Sequence, residues 1–242
     1  MTFQPVVATE ELTKIYRHQV AVDHLTFSVN EGEIFGFLGP NGAGKTTTLL
    51  MLLGLTQPTS GHARILGIDP AREPIKVKAR VGYLQENMGF YSDLTARQML
   101  RFVADLNGID RREAEVRIDH ALTEVGLADE GGPPKKIAAF SRGMRQRLGI
   151  AELLIRDARV AFLDEPTLGL DPDATQRIIG LIQRLAREQR MTILLSSHQL
   201  HQVQKICDRV GIMIKGRMVA NGPIDQLARE KFGVDREEFT LE

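Results

Sequence analysis

The most informative residues are Gly39-Pro-Asn-Gly-Ala-Gly-Lys-Thr46, which match the phosphate-binding pattern G-x-x-x-x-G-K-[ST]. They lie between an apolar segment, Glu33–Leu38, and a helix-like one, Thr47–Leu55. Glycines in such a loop let backbone N–H groups approach phosphate oxygens, and the following helix directs the positive end of its dipole at the same anion. Lys45 adds a positive charge, and the Thr46 hydroxyl is placed to bind Mg²⁺. The pattern predicts a nucleoside triphosphate site; the alternative is a glycine-rich turn with a chance lysine.

A second site element is the apolar run Arg159–Leu163, which ends in the two acids Asp164 and Glu165. Asp164 is suited to hold the magnesium shell, and Glu165, turned to the other side of the strand end, is suited to polarise the water that attacks the γ-phosphate. The alternative is a pair of solvated carboxylates at a strand-to-loop junction. Together with the phosphate loop, the acids predict phosphoryl transfer to water.

Four further motifs follow in order: Gly82-Tyr-Leu-Gln85, Phe140-Ser-Arg-Gly-Met-Arg-Gln-Arg147, Gly169-Leu-Asp171 and Ser196-Ser-His198. From about Tyr16 to about Gly222 the chain therefore resembles the ATP-binding subunits of ABC transporters. By this resemblance the four motifs are a Q-loop, a signature segment, a D-loop and a switch histidine. The phosphate loop alone would also admit small GTPases, kinases and recombinases.

The resemblance implies a role for each matching residue. It assigns catalysis to Glu165, His198, Gln85 and Lys45. It assigns Mg²⁺ binding to Thr46, Gln85 and Asp164. It implies that ATP is bound by Tyr16, which would stack on adenine, and by Gly39, Pro40, Asn41, Gly42, Ala43, Gly44, Lys45, Thr46, Thr47, Ser141, Gly143 and Asp171.

The resemblance also implies a fold and partners. We expect one α/β domain over residues 1–242, a P-loop NTPase fold with a mixed sheet, an antiparallel β edge plus a parallel core, and an inserted α-helical subdomain at about 86–157. A short tail, about 223–242, resembles the start of a longer segment and suggests truncation. The implied partners are a second ATPase subunit, in a head-to-tail homodimer, and a transmembrane permease that contacts Glu86–Ser92.

The signature segment departs from the usual L-S-G-G-Q of the family, because Arg142 replaces the first glycine and Met144 replaces the glutamine. Ser141 and Gly143 remain. The form F-S-x-G-M-R-Q-R resembles the variant found in subunits of ABC-2-type exporters. Arg142 either adds charge beside the γ-phosphate of the opposite subunit or points outward.

Composition supports a compact domain without nucleic-acid partners. The 242 residues are 43% hydrophobic, which allows a sizeable core, and 31 basic residues balance 31 acidic ones. Without a net positive field, nucleic-acid binding is disfavoured. The single cysteine, Cys207, is expected to pack as a small apolar group in a reducing compartment. Neither a signal peptide nor a run of about 18–20 apolar residues is visible. We therefore expect a cytoplasmic protein, peripheral on the cytoplasmic face of the cell membrane through its permease.

Hydrophobic periodicity predicts the elements that carry the motifs. We expect strands at Val6–Leu12, Leu25–Val29 and Glu33–Leu38, with a hairpin turn at 30–32 and Tyr16 in a loop. Two helices should follow in the helical subdomain. The first begins with a capping box at Thr95 and buries Met99, Leu100, Phe102, Val103 and Leu106; the second, at about 111–125, buries Val116, Ala121, Leu122 and Val125. A polar linker, 131–136, precedes the signature segment.

In the second half, a helix is predicted over 174–189, with Ile178, Ile179, Ile182, Leu185 and Ala186 buried, followed by a buried strand, Met191–Leu195. That strand delivers His198, whose imidazole would sense the γ-phosphate. His201 lies three residues on, but without a third ligand at suitable spacing a zinc site is disfavoured.

Three functions are compatible with these motifs. The leading one is the ATPase subunit of a membrane exporter. A non-transport ABC ATPase acting on ribosomes or DNA usually carries two such domains or a long coiled-coil insertion, which this chain lacks. A regulatory nucleotide-binding module without turnover would not need Glu165 and His198. The transported substrate is not encoded in this chain, because in this family the membrane subunit selects it.

Overall fold

The computed structural model describes residues 5–128, 135–224 and 226–227, and its architecture is α/β, as the sequence predicts. The predicted linker at 131–136 is therefore described only at Lys135 and Lys136, and most of the predicted tail at 223–242 lies outside the described residues. Among the helices of the described ranges, none is both long enough and apolar enough to cross a membrane.

The N-terminal part forms a three-stranded antiparallel sheet in the order β2-β1-β4. Its strands are β1 (Val7–Tyr16), β2 (Gln19–Val29) and β4 (Ser60–Ile65). β1 and β2 form a hairpin in which Tyr16 pairs with Gln19. Tyr16 is therefore the last residue of a strand, and the prediction that it lies in a loop is wrong.

The larger sheet has six strands in the order β5-β6-β7-β3-β8-β9, of which β9 alone runs antiparallel to its neighbour within the described residues. Its strands are β3 (Ile34–Leu38), β5 (Val81–Leu84), β6 (Val160–Asp164), β7 (Thr192–Ser197), β8 (Arg209–Ile214) and β9 (Arg217–Gly222). The central strands β6 and β7 are buried along their whole length, as continuous apolar runs covered on both faces should be.

The predicted hairpin at 30–32 is wrong. β2 and β3 belong to different sheets and do not pair with each other. The turn closes locally, with the Glu33 N–H donating to the Asn30 carbonyl at 3.3 Å, but it passes the chain from one sheet to the next. Turn-forming residues predict a reversal of direction, whereas the partner of each strand is chosen by tertiary packing.

Seven α-helices surround the large sheet in the described ranges: α1 (Lys45–Leu52), α2 (Pro74–Lys78), α3 (Ala96–Leu106), α4 (Arg111–Glu124), α5 (Arg142–Ile155), α6 (Pro172–Glu188) and α7 (Leu200–Ile206). The capping box of α3 is confirmed, because the Thr95 hydroxyl accepts from the Gln98 N–H while the Gln98 side chain accepts from the Thr95 N–H. The buried stripe predicted for α6 is confirmed at all five positions.

The predicted burial of α3 and α4 is only partly right. Met99, Leu100 and Val103 are buried, but Phe102 is 38% exposed and Leu106 is 71% exposed. In α4, Val116 is 67% exposed, and Ala114 and Ile118 lie inward instead. These positions are apolar but lie away from the face that packs on α5, so the predicted stripes are too wide.

Two hydrophobic cores cover the two faces of the large sheet. One contains Ile34 with α3, α4, α5 and α6; the other contains Phe35, Phe37 and the antiparallel sheet. The rings of Phe35 and Phe37 pack on Phe27 of β2, with centroids 5.3 Å and 5.1 Å from it. Because successive side chains of β3 point to opposite faces of the sheet, both cores pack on the strand that precedes the phosphate loop.

Gly36, in the middle of β3, sets how closely α7 approaches the sheet. A Cβ at this position would lie 2.7 Å from Sγ of Cys207 and 3.0 Å from Cγ1 of Val203. Cys207 is buried there as a small apolar group, as predicted, and burial raises the pKa of its thiol.

We predict that Gly36→Ala lowers the free energy of unfolding by about 1–3 kcal/mol, because the added methyl overpacks the contact between β3 and α7. Gly180→Ala is the matched control. Its Cβ would have ordinary contact only, 4.0 Å from Nη1 of Arg184, so the better helix former should stabilise α6 by about 0.5–1 kcal/mol. Urea unfolding measures both, and a Gly36→Ala variant as stable as the wild type would contradict the close packing.

Candidate functional site

The phosphate loop, residues 39–46, joins the end of β3 to the start of α1, the strand–loop–helix context that the motif requires. Gly44 has a φ of 102°, in the left-handed region, and a Cβ there would lie 2.5 Å from the Ala21 carbonyl oxygen. A Cβ at Gly39 would lie 2.2 Å from the Met213 carbonyl oxygen. The loop therefore needs glycine at both positions, and its backbone is held close against β2 and β8.

The N-terminus of α1 is suited to bind an anion. Gly44 is its N-cap, and no side chain caps the N–H groups of the first turn. Lys45 begins the helix and is only 6% exposed; its ammonium donates to the Gly39 carbonyl at 2.7 Å and to the Pro40 carbonyl at 3.2 Å. The same ammonium lies 3.7 Å from Oε1 of Glu165. A buried positive charge is thus fixed beside the loop.

Asp164, the last residue of β6, faces the phosphate loop. The Thr46 hydroxyl donates to its carboxylate at 3.0 Å from Oδ2, and the Ser196 hydroxyl, from the neighbouring strand β7, donates to Oδ1 at 2.5 Å. Because β6 and β7 are parallel and paired, with Asp164 opposite Ser196, the two side chains meet at the same edge of the sheet. Ser196 is a site residue whose role the sequence analysis missed.

Tyr83 is a second missed residue. Burial, and then the charge of Asp164 and a hydrogen bond to that carboxylate, raise the pKa of the Tyr83 hydroxyl to about 12. The phenol therefore stays protonated and donates to Asp164. Its place in β5, two residues before Gln85 and paired with Phe162 of β6, is the signal that points to the carboxylate.

Glu165 leaves the line of β6 through an unusual backbone conformation, with a φ of 48°. Its N–H is held by Ser196, through the carbonyl at 3.2 Å and the hydroxyl at 3.1 Å. This turn directs the side chain toward His198, whose Nδ1 lies 3.0 Å from Oε1 of Glu165. With the carboxylate as acceptor, Nδ1 of His198 carries the proton of this hydrogen bond.

Most of the predicted ATP-binding residues line one cavity of about 320 Å³. It is bounded by Tyr16, Gln19, Ala21, Asn41, Gly42, Ala43, Gly44, Lys45, Thr46, Thr47, Glu86 and Glu165. The phosphate loop, an aromatic side chain and the candidate base thus share one space. In the predicted Q-loop, Glu86 borders the cavity and its neighbour Gln85 does not.

Ser141, Gly143 and Asp171 are not among the residues that line this cavity in the described part of the chain. Ser141 is the N-cap of α5, and its hydroxyl accepts from the Met144 N–H at 3.2 Å. Asp171 is the N-cap of α6 and accepts from the Ala174 N–H at 2.8 Å. The signature segment thus opens a helix, whereas contact of these residues with ATP stays a prediction.

Arg142, the departure in the signature segment, lies against the D-loop of its own chain. A Cβ at Gly169 would be 3.0 Å from Nη1 and 3.2 Å from Cζ of Arg142. The guanidinium therefore covers the Gly169 backbone, and the φ of 68° at Gly169 also favours glycine.

The oxygen donors of the site fit Mg²⁺. A hydroxyl and a carboxylate, from Thr46 and Asp164, are side by side beside a loop built for phosphates, and Mg²⁺ is usually held by one or two carboxylates together with substrate phosphates. Gln85 is exposed and contributes no contact to this donor pair in the described residues. For zinc at His201, the described ranges offer no group of three or more His, Cys, Asp or Glu side chains.

Known proteins share both the sequence and the fold. A family model described as ABC transporter matches residues 22–168. The bacitracin transport ATP-binding protein BcrA of Bacillus licheniformis is 44% identical over 224 residues, which are 93% of this chain and 72% of that protein. The linearmycin resistance ATP-binding protein LnrL of Bacillus subtilis is 36% identical over 217 residues, 90% of this chain and 69% of that protein.

Solved structures agree. A structure described as the ATP-binding subunit of an ABC transporter is 32% identical, with a TM-score of 0.82, and the match covers 96% of this chain and 95% of that one. The structure of cbiO1 from Clostridium perfringens, described as part of the ABC transporter complex cbiONQ, is 26% identical with a TM-score of 0.82, and the match covers 95% and 96% of the two chains.

We predict that Lys45→Ala weakens nucleotide binding as well as turnover, because no other cation borders the cavity among the described residues. Lys205→Ala, which removes an exposed lysine of α7, should leave affinity unchanged. Equilibrium binding of a fluorescent ATP analogue measures both variants. Equal affinity of Lys45→Ala and wild type would contradict the assignment of the phosphate loop.

Proposed function

The chain belongs to the ABC transporter family, and from this premise we propose that it hydrolyses ATP to drive export by a membrane partner. ATP binding and ATP-driven transport are common to the family. Export is supported by the form of the signature segment and by the names of the relatives, which refer to bacitracin transport and linearmycin resistance. The transported substrate is left to the membrane partner.

The observation that carries the proposal is the cluster at the edge of the parallel sheet. Nζ of Lys45 lies 3.7 Å from Oε1 of Glu165, and Nδ1 of His198 lies 3.0 Å from the same oxygen. The Thr46 hydroxyl donates a hydrogen bond to the Asp164 carboxylate. A solvated surface would not bury a lysine and two carboxylates together, since unpaired buried charges are costly. The cluster fits a site in which a bound triphosphate would take the place of the internal ion pairs.

In the proposed mechanism Glu165 is the general base. Its carboxylate accepts a proton from the water that attacks the γ-phosphate, while His198, hydrogen-bonded to it, orients the carboxylate and reaches the γ-phosphate. Lys45 and the N–H groups of the phosphate loop stabilise the charge on the phosphate oxygens. Thr46 and Asp164 would hold Mg²⁺, which would supply further positive charge to stabilise the phosphate oxygens.

Tyr16 is proposed to stack on adenine. Its ring is partly exposed, borders the same cavity as the phosphate loop, and has the ammonium of Lys14 4.8 Å from its centroid. The hairpin between β1 and β2 holds the ring at the border of this cavity. Gln85, which is exposed, is proposed to contribute its side-chain oxygen to the magnesium shell.

A head-to-tail homodimer would complete the site. Ser141 and Gly143 open α5 away from the cavity, with a serine cap and no acid in the first turn of the helix. In a two-fold dimer this helix start would face the γ-phosphate held by the other subunit, where its N–H groups favour an anion. Asp171 would lie in the same interface, at the start of α6.

The segment Glu86–Ser92 is proposed to contact the permease. Within it, the exposed ring of Tyr91 packs edge to face on the exposed ring of Phe102 of α3, with centroids 5.4 Å apart, and the exposed Leu106 extends the apolar surface along α3. Exposed apolar clusters of this kind are typical of protein contacts. The chain would thus work at the cytoplasmic face of the membrane.

We predict that Glu165→Gln keeps ATP and Mg²⁺ binding but lowers turnover by roughly two to four decades, the range for loss of a general base. The variant should accumulate as an ATP-loaded dimer. Glu188→Gln, an exposed acid at the end of α6, is the control and should turn over normally. Phosphate release and size-exclusion chromatography with ATP report both properties; unchanged hydrolysis would refute the assignment.

Mixed dimers test the arrangement across subunits. Ser141→Arg should spare ATP binding to the monomer but abolish dimer formation and hydrolysis, because a bulky cation then occupies the helix start. Mixed with Lys45→Ala, it can build one site with both defects and one with neither, so part of the activity should return. A self-contained site would return none. Arg142→Gly should be tolerated, since it restores the commoner family residue.

A further inference from the structure

A buried chain of hydrogen bonds links the loop after Glu165 to the loop that carries His198. The Thr167 hydroxyl donates to Oε1 of Gln202, and Nε2 of Gln202 donates to Oε1 of Gln199 at 2.5 Å. The Gln199 N–H in turn donates to the Ser197 hydroxyl at 3.1 Å. The chain of bonds therefore begins two residues after Glu165 and ends on both sides of His198.

The central residue of this chain is well buried. Thr167 is 4% exposed and Gln202 is 9% exposed, on a helix that buries Val203 and Ile206 in the core. A buried polar side chain is tolerated only when it is hydrogen-bonded. Both polar atoms of the Gln202 amide are hydrogen-bonded, because the oxygen accepts from Thr167 and the nitrogen donates to Gln199.

The start of α7 depends on the same bonds. α7 begins at Leu200, directly after the histidine loop, and the side chain of its N-cap, Gln199, forms no capping bond to the helix. That side chain is instead held by Gln202, one turn along α7. The position of the histidine loop is thus tied through Gln202 to the segment that follows Glu165.

We propose that Gln202 is a positioning residue for hydrolysis. By holding the two loops together, it keeps Nδ1 of His198 at 3.0 Å from Oε1 of Glu165. The inference rests on the proposed function, since it concerns the same ATP-hydrolysing site. Neither Gln202 nor Thr167 is among the described residues that border the nucleotide cavity, so their effect should fall on the chemical step and not on binding.

The test is Gln202→Met, which keeps the length of the side chain and removes both hydrogen bonds. We expect kcat to fall about ten- to hundredfold, the effect of misplacing a catalytic group by a fraction of an ångström to an ångström. KM for ATP and the affinity for an ATP analogue should stay within about twofold of wild type. Thr167→Val, nearly isosteric, removes only the first bond and should lower kcat in the same direction.

The matched control is Gln183→Met. Gln183 also bonds α7, donating from α6 to the Lys205 carbonyl at 2.7 Å, but at the end of α7 far from the histidine. It should keep wild-type kcat. Thermal unfolding of all variants, and kcat normalised to folded protein, separate positioning from loss of fold.

His198→Ala supplies the decisive background. If Gln202 acts through His198, then Gln202→Met should lower the residual activity of His198→Ala by less than about twofold. A further tenfold drop, a wild-type kcat in Gln202→Met, or an equal loss in Gln183→Met would each overturn the inference. A wild-type protein that hydrolyses no ATP would instead refute the proposed function, so the two failures are distinguishable.

Discussion

The parallel pairing of β7 with both β3 and β6 is the constraint on which the site depends. It brings three segments that are far apart in sequence to one edge of the sheet: the loop after Leu38, the acids after Leu163 and the histidine loop after Ser197. The three strands are short and buried on both faces, so a shift of register would expose apolar residues and is disfavoured. The positions of the reacting groups therefore follow from burial of the strands that carry them.

Hydrogen bonds and one ion pair hold the charged groups at this edge in place. Lys45, Glu165 and Asp164 are largely buried, and each is held by hydrogen bonds or by an opposite charge. Such charges would be unstable apart. Because they are buried together in a region of low dielectric, they interact with a triphosphate more strongly than they would at an exposed surface. The conformation of Glu165, with its positive φ, is maintained by Ser196, so the strand next to the acid supports the backbone of the acid.

The sequence predicted the strands β3, β6 and β7, the helix starts and the cluster of Lys45, Asp164 and Glu165, because each depends on local pattern or on a loop with strict steric needs. It did not predict how β2 and β3 separate into two sheets, since pairing is decided by distant partners. It assigned Phe102 to the core through apolar type alone, although that ring lies beside Tyr91 at the surface. The roles of Tyr83 and Ser196 were also missed, because a hydroxyl in a strand is recognised as part of the site only once the pairing of that strand with β6 is known.

The starts of α5 and α6 bear on how two subunits would pair. Both helices begin on the same side, with Gly143 close to Ala174 and Arg142 covering Gly169, so the signature segment and the D-loop form one continuous surface. That surface is separate from the residues that border the cavity in the described part of the chain. In the proposed two-fold dimer this surface of each subunit would face the cavity of the other, so two equal sites would form and neither surface would be left without a partner. Binding at each site would then stabilise the same interface, so hydrolysis at either site weakens what holds the subunits together.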